Sequence, residues 1–274
     1  MTLATQAAAG HDGTSEKLER SWVRWTTDRL RNVVADLLHA PMSRETVRRG
    51  LHSLDLSWKK AKKLLGKANT EQRQAHLDAM TALKNQIEGT DTLLVYCDEA
   101  HVHQDCDLGY GWSERGKRLY VASSSPGLSA KVSFYGFYVA NEPQVLIWDY
   151  PRANSLHTVD ALERLRACFP ERPIVLVWDG GPYHRSNVTR QAADRLGIAL
   201  IRLPAYSPDL MPVEALWRWL REKVTYNHCH RTAEQLIARV AEFVCTIHQD
   251  LCALVQRLHV KDQLDPEEEK LRFS

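Results

Sequence analysis

Two short apolar runs, LLVYC and IVLVW, each close on an aspartate, Asp98 and Asp179, and both read as strands buried within a sheet. A chain with two such runs, separated by about 80 residues of further strand and helix patterns, has to build a layered sheet with helices on its faces. Upstream of Asp179 the segments GYGWSERGKRLYVA, KVSFYGFYVA and PQVLIWDY carry the β-branched and aromatic enrichment of strands. HTVDALERLRACF then reads as a helix, and after the second run SNVTRQAADRLG and IALIRLP alternate helix and strand. Consecutive strands followed by strand–helix alternation predict a mixed α/β sheet. Both aspartates are expected at the carboxyl ends of their strands, where open α/β sheets commonly bind ligands.

A third acid is set into LPAYSPDLMPVEALWRWLREKV, where a proline-rich loop leads into a helix beginning near Met211 or Pro212. Glu214 falls in the first turn. Leu216, Leu220 and Val224 form the apolar face of that helix, while Glu214, Arg218 and Arg221 share the other side. Three carboxylates gathered at one site repel one another unless a cation joins them. Oxygen ligands suit Mg²⁺ or Mn²⁺, and two such ions at Asp98, Asp179 and Glu214 would support phosphoryl transfer.

The remainder of the chain bears on partners. The net charge of +2 says little, but between Arg20 and Lys67 there are 12 Lys or Arg against four Asp or Glu. RLRNVVADLL predicts a short helix with Leu30, Val33, Val34 and Leu37 on one face, ended by the proline of HAPM. Ser43 then caps a second helix that buries Val47, Leu51 and Leu54 and exposes Arg44, Arg48, Arg49 and His52. With Lys59 and Lys60 in the following SWKKAKK, this reads as a helix-turn-helix whose basic side meets double-stranded DNA. Residues 70–88 predict a connecting helix with Leu77, Met80, Leu83 and Ile87 along one side.

No apolar run is long enough to span a bilayer, and the opening residues lack a secretory pattern, so a cytoplasmic, nucleoid-associated protein with reduced cysteines is expected. Cys245, His248 and Cys252 fall on one face of a predicted helix, with His228, Cys229 and His230 upstream, but their spacing lacks the paired pattern of a structural zinc site. Trp217 and Trp219 are expected in the core. Glu99 should point away from Asp98 by strand alternation and stay outside the triad. His184, five residues after Asp179, is a candidate for a role near the reacting phosphate.

Taken in order, YCDEAHV, GYGWSERGKR, VWDGGPYHRS and LPAYSPDLMPVEALW resemble the catalytic domain of bacterial insertion-sequence transposases of the Tc/mariner superfamily, and 34 residues separate Asp179 from Glu214 as in that superfamily. The resemblance implies an RNase H-like fold with Asp98, Asp179 and Glu214 as the metal-binding triad. It also implies cut-and-paste DNA transposition, usually into a TA dinucleotide, by a dimer or larger assembly on paired terminal inverted repeats. Gly180 stands where the family commonly has Asn, and Met211 departs from the third motif in the same way. Family members usually begin with an additional helix-turn-helix, for which this chain has no room. A structure-selective nuclease of the same fold and a catalytically idle DNA-binding descendant are the rival readings.

The domain organisation expected is a tail at 1–19, a helix-turn-helix region at 20–68, a connecting helix at 69–90, an RNase H-like catalytic domain at 91–225 and a C-terminal helical segment at 226–274.

Overall fold

The computed structural model describes residues 25–59, 67–123 and 130–271, and the chain divides into two compact units, residues 1–63 and 64–274. In the first unit, α1 (Thr27–Leu38) begins where the Thr26 hydroxyl accepts from the Arg29 amide, and it ends at His39 in the left-handed region. A second helix, α2 (Arg44–Ser53), is capped by Ser43, whose hydroxyl accepts from the Thr46 amide at 3.0 Å. Leu30, Val33 and Val47 bury between the two. Leu37 and Leu54, expected on the buried faces, are 49% and 45% exposed. Both lie at the last turns of their helices, where the contact between so short a pair of elements runs out.

The second unit is built on a five-stranded sheet in the order β3-β2-β1-β4-β5. The strands are β1 (Leu93–His103), β2 (Lys131–Val139), β3 (Gln144–Tyr150), β4 (Ile174–Trp178) and β5 (Ile198–Arg202). β1 runs antiparallel to β2, and β2 to β3, whereas β1–β4 and β4–β5 are parallel. The mixed sheet is the one expected. The segment GYGWSERGKRLYVA is not a strand: residues 108–123 carry no ladder, and Tyr110, Trp112 and Tyr120 stand almost fully exposed. Aromatic enrichment favours a strand only where a neighbouring strand and a core are there to be packed against; among the described residues this stretch meets Tyr226 and Asn227 at its start, but no strand, and its aromatic rings lie in solvent.

Alternation along β1 sorts the core. Leu94, Tyr96, Ala100 and Val102 face one layer, formed by α3 (Thr70–Ile87), α6 (Pro212–Leu220), α7 (Ala233–Ile247) and α8 (Leu251–Arg257). Leu93, Val95 and Cys97 face the other, formed by α4 (Ser155–Cys168) and α5 (Asn187–Arg195).

α3 belongs to the first of these layers through Leu77, Met80 and Ile87. It also buries Arg73 completely. That guanidinium donates to both Asp209 oxygens at 2.9 and 2.8 Å and to Glu269 at 3.1 Å, tying α3 to the turn before α6 and to α9 (Pro266–Leu271). Thr70 donates to Glu269 at 2.6 Å and Lys261 to Asp209 at 3.0 Å.

The predicted helix through AEFVCTIHQDLCALVQRL is two helices, because Asp250 turns its carboxylate onto the Ala253 amide and starts α8 afresh. Cys245, His248 and Cys252 therefore share no helix face, and the His248 ring accepts the Val145 amide at 3.0 Å. Among the described residues no helix is long and apolar enough to cross a membrane.

Candidate active site

Asp98 lies in the middle of β1, not at its end. The strand continues because β2 pairs with it as far as His103↔Lys131, while the parallel ladder with β4 stops at Tyr96↔Val177. Asp98 thus stands just past the point where one neighbour leaves the sheet, and Asp179 directly follows the end of that neighbour. The opening between β1 and β4 exists because one strand outlasts the other.

By alternation Asp98 faces the α6 layer. Gly136 is its partner in β2, and a Cβ there would lie 2.6 Å from the Trp217 ring. The missing side chain admits the indole, whose Nε1 donates to Asp98 Oδ2 at 3.0 Å. Trp217 and Trp219 are buried as expected, at 3% and 7% exposure. Trp217 in addition holds one of the three acids.

Glu214 occupies the first turn of α6, with Pro212 at the first helical position. It is exposed, at the near end of the helix that packs on β1 and β2. The Arg73–Asp209 pair anchors the loop that delivers it.

Electrostatics connect the three acids. Burial, then the negative charges of Glu214, Glu99 and Asp179, push Asp98 up to about 8. Partial burial and Asp179 raise Glu214 against the opposing influence of Arg221 and Arg218. Asp179 is held below the usual carboxylate range, first by its hydrogen bond from His184, against burial, and then by the Gly181 amide and the charges of His184 and Arg202. Carboxylates that raise one another in this way fit a divalent cation. Among the described residues no three His, Cys, Asp or Glu side chains stand closed around a single ion position. One oxygen each of Asp98 and Asp179 is engaged by Trp217 and by His184 with Gly181.

Glu99 faces away from Asp98, as alternation requires, into the α4–α5 layer. It nevertheless reaches the site indirectly: His184 Nε2 contacts Glu99 Oε1 at 2.7 Å and His184 Nδ1 contacts Asp179 Oδ1 at 2.6 Å. Burial works against a charged His184 ring, but the hydrogen bonds to Asp179 and Glu99 outweigh it and raise its pKa to about 9. His184 is buried with both ring nitrogens against carboxylates, so neither is left for a phosphate. The doublet Asp98-Glu99 and the histidine five residues after Asp179 were both visible in the sequence; their meeting was not.

Gly180 lies under Arg202, with an ideal Cβ 2.7 Å from the guanidinium Nε. In the first unit Arg44, Arg48 and Arg49 are exposed on α2, as is Lys59 beyond it, while Lys60 lies outside the described residues. Part of that basic face is neutralised locally: Arg48 donates to Glu45 at 2.8 and 2.6 Å, and Arg44 approaches Asp28 at 3.8 Å.

Comparison with known proteins gives consistent results. The model of the DDE superfamily endonucleases matches residues 93–237, and that of the winged helix-turn-helix matches residues 22–79. An uncharacterized 39 kDa protein of insertion element IS630 from Shigella sonnei is 27% identical over 229 residues, which are 82% of this chain and 65% of that protein. The chain therefore spans just under two thirds of that relative's length. Among solved structures, the Mos1 transposase paired-end complex with left transposon end aligns at a TM-score of 0.64 and 16% identity, over 96% of this chain and 77% of that one. The pre-cleavage Mos1 transpososome aligns at 0.61 and 16%, over 93% and 79%. At such identity the likeness establishes a shared fold, that of an RNase H-like catalytic domain with an N-terminal helix-turn-helix.

Proposed function

Because this chain belongs to the DDE superfamily endonucleases, we propose that it is a DNA transposase that cuts the ends of its own element and joins them to target DNA. The observation that carries this reading is the placement of Asp98, Asp179 and Glu214. They come from a strand interior, a strand end and a helix first turn, yet their carboxylates lie close enough for the negative charges of Glu214 and Asp179 to raise Asp98 and that of Asp179 to raise Glu214. These three residues would hold Mg²⁺ or Mn²⁺, in all as two ions, which when bound activate the attacking oxygen and stabilise the leaving oxygen of a phosphodiester.

The chain's own residues prepare the site. Trp217 fixes the rotamer of Asp98, Gly181 and His184 fix Asp179, and the Arg73–Asp209 pair sets where α6 begins and so where Glu214 stands. Arg218 is exposed on the helix beside Glu214, and Arg221 follows the helix half-buried near Asp107; both would supply positive charge to a DNA backbone at the three acids.

The helix-turn-helix unit would recognise the terminal repeat through Arg44, Arg48, Arg49 and the Lys59–Lys60 pair, with target joining at TA and two copies synapsing paired ends. Support for that assembly comes from the fold relative solved on paired transposon ends, and support for the metals from the same relative solved in paired-end complexes with Mn and with Mg.

The deciding experiment incubates the full chain with DNA carrying the ends that flank its gene, in Mg²⁺ or Mn²⁺, and follows cleavage and strand transfer beside gel shifts. Asp98→Asn, Asp179→Asn and Glu214→Gln should each abolish both chemical steps while DNA binding survives. Cleavage at wild-type rate by any of the three would mean that the wrong acid has been assigned. Binding without cleavage by the wild type in either metal would favour the idle descendant.

A further inference from the structure

We propose that Glu99 and His184 form a buried brace whose purpose is to fix the Asp179 carboxylate for its metal, making both of them positioning residues for the reaction proposed above, on which this inference rests.

The geometry leaves the imidazole little choice. Glu99 Oε1 lies 2.7 Å from one ring nitrogen and Asp179 Oδ1 2.6 Å from the other, so both nitrogens are engaged and the ring cannot turn without losing a contact. Its plane is fixed as well. The ring stacks on Trp178 with centroids 4.4 Å apart and planes within 10°, while Tyr183 meets it edge-on at 4.7 Å and 82°. Tyr183 also donates to the second Glu99 oxygen at 3.4 Å. Gly181 completes the fit, since a Cβ there would come within 3.1 Å of Asp179 Oδ1 and 3.5 Å of His184 Nδ1.

Burial shows where the brace is directed. The side chains of His184 and Glu99 are 1% and 5% exposed, whereas that of Asp179 is 55% exposed. An acid at a strand end with more than half its surface in water would ordinarily sample several rotamers. Here it is held by a hydrogen-bonded pair of polar side chains taken out of water, an arrangement that apolar packing of equal volume would often match in stability. What apolar packing could not do is hold one carboxylate oxygen in place while the side chain stays more than half exposed. Partners of this kind behind a ligand typically govern metal affinity and activity by about 10- to 100-fold.

The test uses the full chain and the variants Glu99→Gln, His184→Gln and the double. Mn²⁺ binding is measured by calorimetry without DNA, cleavage is followed across Mn²⁺ concentration, and melting is followed without metal. Each single variant should raise both the Mn²⁺ Kd and the Mn²⁺ needed for half-maximal cleavage by about tenfold or more. The double should be no worse than the worse single, because both residues act through the same oxygen. Should His184→Gln fail to fold, the nearly isosteric Glu99→Gln decides alone.

Single variants that melt earlier but keep the wild-type Mn²⁺ Kd would reduce the cluster to core packing and overturn the brace, leaving the metal site intact. Losses that simply add in the double would overturn it too. A wild type that bound no Mn²⁺ would instead sink the metal-dependent reading itself, before any variant is compared.

Discussion

Trp217 reaches Asp98 through the space left by a glycine: its Nε1 donates to Asp98 Oδ2 at 3.0 Å, and a Cβ at Gly136 would lie 2.6 Å from its ring. The obstacle would be a rigid, buried indole, so Gly136→Ala must displace it. Overpacking of this kind costs about 1–3 kcal/mol, and the freed carboxylate should bind metal less well. Urea unfolding beside Mn²⁺ titration would show both losses; an alanine variant with wild-type stability would mean that the indole has room to move.

Gly180→Ala should behave differently, although its ideal Cβ also falls 2.7 Å from a neighbour. That neighbour is Arg202, an exposed and flexible side chain at the sheet edge that can swing aside. The expected change in stability is within about 0.5 kcal/mol. Thermal melting checks it, and a larger loss would show that the backbone itself requires glycine.

Arg73 is a fully buried cation serving two acids, and Arg73→Ala leaves Asp209 with Lys261 and Glu269 with the Thr70 hydroxyl, so the expected cost lies toward the lower end of the roughly 3–5 kcal/mol for breaking a buried ion pair. The same cluster predicts acid sensitivity. Burial raises the Asp209 carboxyl, but hydrogen bonds from Arg73 and Lys261 outweigh it and hold it well below the usual range. A carboxyl depressed in the folded state contributes its stability in full above the unfolded value of about 3.9, and loses it as pH falls from there toward the folded value. Unfolding free energies measured from pH 6 down to pH 3 should therefore fall more steeply for the wild type than for Asp209→Asn. Parallel curves would remove Asp209 from the account.

The basic face of α2 carries its own counter-charge. Glu45 holds Arg48 in a paired contact and lies 4.0 Å from Arg49. Glu45→Gln should release them to phosphates, tightening binding to DNA and steepening its dependence on salt by up to about 0.9 in log–log slope for each phosphate newly neutralised. Replacing Arg44, Arg48 and Arg49 together should flatten the slope. If neither variant shifts it, the face is merely solvated.

How much of this the sequence carried can be told from single residues. Periodicity identified α1, α2, α3 and α6, because a helix buries a face its own sequence repeats, and the apolar runs before Asp98 and Asp179 marked β1 and β4. The mixed sheet and the elements that carry Asp98, Asp179 and Glu214 were legible for the same local reason, while their grouping as a triad came from motifs whose order and spacing resemble a known family. The strand reading of residues 108–123 failed because aromatic residues promise a strand only when something packs on them, and that depends on residues far away.

Tertiary structure alone decided the rest. Whether β1 stops at Asp98 or runs past it depends on β2 outlasting β4, and the contact of Trp217 with Asp98 spans 119 residues. Glu99 could be assigned to the far face from alternation, but its meeting with His184, 85 residues on, needed the loop after β4 to fold back under the sheet. Local pattern fixes which face a side chain takes; which distant group shares that face is settled only when the strands choose their neighbours.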